Sequence, residues 1–256
     1  MQYLFEHKFY GKSNSDSIEW LNSKSLQKFA FIDTETTGLP NKDYNVQLTQ
    51  IACIMCEYNK ESGEFKELDS FNEKIRLTDE TKSSMGDTGQ IKRVLSFNRY
   101  GQKGIKFNEE SDTILELKRF LQKHGFPILV IQNAAFDMKY LNTRSDHRIT
   151  NEVLDTKQML QLFYLPTLQK LAETDEYYRD IIQEIGTSER DNGLISSSMG
   201  KVGPAMRIEM DDYHDALSDC KYTIKILENM IKLLKNNKDL DISKYHSERV
   251  SKIRKT

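Results

Sequence analysis

Apolar positions in the first third of the chain come in short runs that break on polar and turn-forming residues. In KFAFIDTETTGLP, residues 28–40, an apolar run passes into polar positions and then Gly38 and Pro40, which predicts a buried strand followed by a turn. That strand delivers Asp33 and Glu35 at its end. LTQIACIMCEYN at 48–59 and FKELDSFNEKI at 65–75 predict two further strands, joined by a short turn centred on Gly63. A three-strand meander is the simplest arrangement. Ahead of it, NSDSIEWLNSKSLQ at 14–27 opens on capping residues and brings Ile18, Leu21 and Leu26 near one helical face, so a helix packed outside the core is expected.

The period changes further along. SDTILELKRFLQKHG at 111–125 sets Ile114, Leu117, Phe120 and Leu121 on one face and ends on Gly125, the pattern of an amphipathic helix. PILVIQ then reads as a fully buried strand and AAFDMKYLNTR as another helix, an order that implies parallel pairing in this part of the sheet. DTKQMLQLFYL, PTLQKLAETDEYYRDIIQEIG and HDALSDCKYTIKILENMIKLLK predict a helical second half. Between meander and helices, residues 77–110 are polar and punctuated by glycine, with IKRVLSF the one periodic stretch. Such a segment is either a functional flap or a decorative insertion.

Composition narrows the class. Of 256 residues, 38% are hydrophobic and 30% charged, which suits a packed core with a solvated surface and excludes a disordered chain. No apolar run approaches the roughly 20 residues that span a bilayer, and MQYLFEHKFYGK is no signal sequence, so a cytoplasmic protein without a membrane partner is expected. The net charge of −2 does not advertise a nucleic-acid binder, although a carboxylate cluster that holds cations would mask an excess of Lys and Arg. Three cysteines are too few for a disulfide framework. Cys53 and Cys56 form C-x-x-C, but three residues apart on a strand they point to opposite faces, which argues against a shared metal.

Hydrolysis of a phosphodiester with two cations needs several carboxylates converging from different elements. Asp33 and Glu35, two apart, lie on the same face if the strand continues through both. In a chain with 39 acidic residues such a pair also arises by chance, so the surrounding letters decide.

FIDTETTGL resembles the first motif of the DEDD exonucleases, an apolar strand running into D-x-E-T-T-G-L. NAAFDMKYL at 133–141 is similar to their second motif, and HDALSDCKYT, with His214, Ala216 and Asp219, to their third. The three occur in the family's order over roughly residues 29–235. The histidine lies five residues before the last aspartate, whereas Tyr213 is out of register for the tyrosine branch. The chain therefore resembles the DEDDh, or DnaQ-like, 3′→5′ exonucleases of the ribonuclease H-like superfamily.

That resemblance implies an α/β fold with a mixed central sheet of about five strands flanked by helices, the first three antiparallel and the others parallel. It divides the chain into an N-terminal helical extension (1–28), an exonuclease domain (29–235) carrying the insertion at about 77–110, and a basic tail (236–256). It implies that Asp33, Glu35, Asp137 and Asp219 hold two divalent cations, Mg²⁺ or Mn²⁺ as their hard oxygens suggest, and that His214 is the general base. Asp33 would bridge both ions, Glu35 and Asp219 complete one site, and Asp137 support the second.

Thr36, Gly38 and Leu39 would meet the terminal nucleotide, the alternative being only a tight turn; Asn133 and Phe136 would position the second motif, with Phe136 also suited to the core. Asp155 is read as a helix cap and stays outside the metal set. SSSMGKVGPAMR, before the third motif, is either a phosphate-binding loop or a solvated one, and the Lys- and Arg-rich C-terminal segment either helps hold nucleic acid or is simply solvated.

The implied activity is release of nucleoside 5′-monophosphates from a nucleic acid with a free 3′ end. Single-stranded DNA is favoured over RNA, with a separate polymerase or repair partner. The alternatives are an exoribonuclease and a non-catalytic nucleic-acid-binding module of the same fold.

Overall fold

A computed structural model describes residues 12–38, 46–85, 96, 104–144, 148–209 and 215–253. Helix α1 (Asn14–Ser23) leads into β1 (Lys28–Thr36), β2 (Leu48–Asn59) and β3 (Glu64–Ile75). After α2 (Asp79–Met85) come β4 (Phe107–Asn108), α3 (Glu110–Lys123), β5 (Ile128–Ile131), α4 (Ala134–Thr143) and β6 (Val153–Asp155). The rest is helical: α5 (Thr156–Met159), a π turn (Leu160–Tyr164), α6 (Leu165–Leu171), α7 (Glu176–Ile185), α8 (Met199–Ala205), α9 (Ala216–Asn236) and α10 (Ser243–Ile253).

Among the described residues the strands form one mixed sheet in the order β4-β3-β2-β1-β5-β6. The meander pairs antiparallel, while β1 pairs parallel with β5 and β5 with β6. Of these six strands, where about five were expected, β4 comes from two residues at the end of the 77–110 segment that pair with Lys74 and Ile75. Residues 86–95 and 97–103, which include most of IKRVLSF, lie outside the described residues. No helix among those described is long and apolar enough to cross a membrane.

Period-two alternation gives the sheet two buried faces. Phe29 and Phe31 of β1 and Ala52, Ile54 and Cys56 of β2 pack with Ile18 and Leu21 of α1 and Ile226, Leu227 and Met230 of α9. Ala30, Ile32, Ile51, Cys53 and Met55 pack on the other side with Ile114, Leu117 and Leu121 of α3 and Met138 and Leu141 of α4. Cys53 and Cys56 thus belong to opposite faces, as their spacing required.

Four details differ from the sequence reading. Helix α1 stops at Ser23 and docks into the core, leaving Leu26 99% exposed beyond its end. The segments DTKQMLQLFYL and PTLQKL run on without a break: Met159, Tyr164 and Leu165 all keep right-handed helical backbone, and the π turn directly precedes Pro166 in the first turn of α6. SSSMGKVGPAMR contains helix α8, and Ser196 and Ser197 are buried. A Cβ at Gly203 of this helix would fall 1.5 Å from the Tyr222 hydroxyl oxygen, so any larger residue there would have to displace the Tyr222 ring of α9. The charged C-terminal segment contains α10, whose Arg249 is 1% exposed and donates to the Ile195 carbonyl. A stem and guanidinium packed this way are part of the body and not a solvated tail.

Candidate active site

Strand β1 ends where its neighbours of both senses have their openings, at the carboxyl end of the parallel strands, the place where ligands enter open α/β sheets. Asp33 pairs with Ala52 and Glu35 with Gln50 of β2, so both acids face the side of the sheet covered by α9. Thr34 faces the other side. The ladder slips between Glu35 and Thr36, a bulge that ends the regular pairing just after the two acids. Beyond it, the Thr37 N–H donates to the Gln47 carbonyl at 2.9 Å and the Gln47 N–H to the Thr37 hydroxyl at 3.1 Å, anchoring the exit of the strand.

Asp219 lies in the first turn of α9, where its N–H donates to the Asp215 carbonyl at 2.9 Å. Asp33, Glu35 and Asp219 each bring a carboxylate oxygen within 4.8 Å of the others. Three hard carboxylate oxygens at that spacing could hold a metal ion.

Asp137 reaches the same strand from the opposite face. It sits in the first turn of α4 and is 4% exposed. One of its oxygens accepts from the Thr34 N–H at 3.1 Å and from the Thr34 hydroxyl at 2.6 Å. It stands outside the mutual 4.8 Å of the other three acids, with its second oxygen uncommitted to Thr34. Its charge is nonetheless felt by Asp33 and Glu35.

The electrostatics are those of crowded, desolvated carboxylates. Burial first, and then the charges of Asp137, Asp219, Glu35 and Asp215, push the Asp33 carboxyl well above its usual range. Burial and the charges of Asp219, Asp137 and Asp215 raise Glu35 to about 8. Burial raises Asp137 to about 7 against the opposing pull of its hydrogen bonds from Thr34. Asp219 rises to about 6, from burial and Asp215. Such a cluster binds protons or cations, and is unfavourable without either.

The remaining candidate residues divide. Thr36 is half-buried and its hydroxyl donates to the Gly38 carbonyl at 2.9 Å, closing the turn after the strand. Asn133 is exposed at the N-cap of α4 in left-handed conformation, φ 66°, with no side-chain cap of its own. Phe136 is half-buried and packs edge-on to Tyr140 with ring centroids 5.1 Å apart. Leu39 and His214 lie outside the described residues.

Asp155, 4% exposed, accepts from the N–H groups of Asn133, Ala134, Lys157 and Gln158. One carboxylate therefore ties together the starts of α4 and α5, a role larger than the single cap read from the sequence. Sequence reasoning missed Asp215 as a neighbour of the acids; its only local signal was an acid four residues before Asp219 at a helix start.

No protein-family model and no curated protein matches the sequence. The structure is similar to that of cell-death related nuclease 4, with 17% identity, TM-score 0.46, and coverage of 80% of this chain and 64% of that one. It is also similar to a product-bound structure of exonuclease I, with 17% identity, TM-score 0.48, and coverage of 86% and 45%. For E. coli exonuclease I in complex with a dT13 oligonucleotide the values are 16%, 0.44, 79% and 40%. The chain thus matches under two thirds of the length of each of these proteins.

Proposed function

We propose that this protein is a metal-dependent 3′→5′ exonuclease that releases nucleoside 5′-monophosphates from single-stranded DNA. The observation that carries the reading is the meeting of Asp33, Glu35 and Asp219 within 4.8 Å, from a strand and a helix far apart in sequence, with Asp137 arriving at the same strand from the opposite face. These acids stand in three ordered segments that resemble the DEDDh motifs.

In this reading Asp33, Glu35, Asp219 and Asp137 hold two divalent cations, Mg²⁺ or Mn²⁺. When bound, the ions supply charge neutralisation for a phosphodiester and a lowered pKa for water. His214 accepts the proton of the attacking water at a ring nitrogen, since an imidazole with a pKa of about 6.5 is half-neutral near the operating pH. Thr36, Gly38 and Leu39 contact the terminal nucleotide, and Asn133, exposed one turn before Asp137, faces the incoming strand. Four clustered acids repel phosphate in the absence of cations, so activity depends on them absolutely.

The test is incubation of purified protein with matched 3′-ended single-stranded DNA and RNA oligonucleotides in Mg²⁺, Mn²⁺ or EDTA. Mononucleotide release from DNA that is lost in EDTA and in Asp137→Ala and His214→Ala is expected. Faster release from RNA would reassign the substrate, and no release from either would overturn the reading.

A further inference from the structure

Gln50 of β2 is the partner of Glu35 across the sheet and is 1% exposed. A primary amide buried this deeply is costly unless its hydrogens are used. Both find acceptors: Nε2 donates to Asn72 Oδ1 on β3 at 2.9 Å and to Asp215 Oδ2 at 3.1 Å. A carboxylate only accepts, so the end of the amide facing Asp215 must be its NH₂.

Asp215 is the N-cap of α9. Its other oxygen accepts from the Ser218 N–H at 3.2 Å, and its carbonyl accepts from the Asp219 N–H. One side chain is therefore shared between the sheet and the turn of helix that carries Asp219, and it follows His214 directly in the chain. The rest of α9 needs no such tether, because Ile226, Leu227, Met230, Ile231 and Leu234 already seat it in the core. What the Gln50 contact can set is the position of the first turn against β1.

The choice of an amide also matters. A lysine or arginine at this place would hold Asp215 but cancel its charge. Glutamine holds it and leaves its negative charge beside the first turn of α9, where Asp219 stands.

We propose that Gln50 and Asp215 are a positioning pair that sets Asp219 against Glu35 and thereby the cation affinity of the site, an inference that rests on reading the site as a cation centre. Gln50 touches neither substrate nor ion in this scheme and acts through Asp215.

The experiment compares wild-type protein, Gln50→Met, Asp215→Asn and the double variant, measuring Mn²⁺ binding by calorimetry without nucleic acid, Mn²⁺ dependence of mononucleotide release, and thermal stability. Gln50→Met keeps length and shape without a donor, and is expected to raise the Mn²⁺ concentration for half-saturation about tenfold, as loss of an orienting outer partner does. Asp215→Asn sits at a half-buried position, so it reads the same bond should Gln50→Met fold poorly; it is expected to weaken Mn²⁺ binding by at least as much. Adding Gln50→Met to Asp215→Asn should change binding by less than about twofold, because the acceptor through which Gln50 acts is already altered.

Gln50→Met that lowers thermal stability but leaves Mn²⁺ binding unchanged would overturn the pair alone, as would effects that multiply in the double variant. Wild-type protein that binds no Mn²⁺ would overturn the reading of the site and the pair with it. Wild-type protein that binds Mn²⁺ but degrades no nucleic acid would overturn only the exonuclease reading, with the pair still judged by the binding shifts.

Discussion

The Asp137 carboxylate is held by Thr34, the residue between Asp33 and Glu35, through both its backbone N–H and its hydroxyl. Because Thr34 points away from its two acidic neighbours, a helix on one face of the sheet is locked to a strand whose acids serve the other face. The start of α4 is thus registered against the end of β1 by one side chain.

Thr34→Val tests that link, since it keeps the β-branched shape and removes only the hydroxyl donor. The hydroxyl lowers the pKa of Asp137, so its loss should raise it further. Mn²⁺ affinity is expected to fall roughly tenfold, with a stability loss of about 1–2 kcal/mol. Calorimetric Mn²⁺ titration and urea unfolding read the two effects; unchanged Mn²⁺ affinity would mean that the hydroxyl does not set Asp137.

The raised carboxyls make the metal-free protein sensitive to pH in a defined direction. From about pH 4 upward the folded state holds protons that the unfolded chain has released, on Asp219 to about pH 6, on Asp137 to about 7, on Glu35 to about 8, and on Asp33, whose carboxyl is raised well above its usual range. Protons bound by the native state therefore exceed those bound by the unfolded state, and the contribution of these groups to stability is lost as pH rises through the window. In EDTA, the fall in Tm between pH 5 and 8 should be smaller for Glu35→Gln than for wild type, a comparison that cancels the other titrating groups. Mg²⁺ or Mn²⁺ should raise the wild-type Tm most at pH 8. An identical pH dependence in both proteins would contradict the assignment.

Asp155→Asn should be costly out of proportion to its size. The carboxylate serves four N–H groups at two helix starts, and an amide puts a donor where one oxygen now accepts. A loss of about 2–3 kcal/mol is expected in urea unfolding. A loss below ~0.5 kcal/mol would show that water or rearranged helix ends replace the carboxylate easily.

Gly203→Ala places a methyl group 1.5 Å from Tyr222 Oη and 2.2 Å from its Cζ. Overpacking between α8 and α9 should destabilise by about 1–3 kcal/mol. Tyr222→Leu in the same chain frees that space and should recover part of the loss, measured as a difference in denaturation midpoint; a double variant no more stable than Gly203→Ala would place the strain elsewhere.

Much of this molecule is legible in one dimension. Alternation along β1 and β2 assigned Cys53 and Cys56 to opposite faces and Asp33 and Glu35 to the same one, because a strand repeats every two residues whatever surrounds it. The boundaries of β2 follow from its apolar run, and the antiparallel-then-parallel order of the sheet from the change of period after β3. The short β6 left no such trace, since three residues are too few to display a period. Helix α10 was hidden for a different reason: its charged composition does not reveal that the Arg249 stem and guanidinium are buried.

What the chain by itself supplied were the candidate acids and the order of their segments. Only the tertiary structure decided how they meet: Asp219 beside Asp33 and Glu35 on the α9 face, Asp137 from the α4 face through Thr34, Gln50 beneath Asp215, and Asp155 between two helix ends. Each of those relationships joins residues on different elements. Local periodicity reports which way a side chain points along its own strand or helix, and carries no information about what another element brings to the same place.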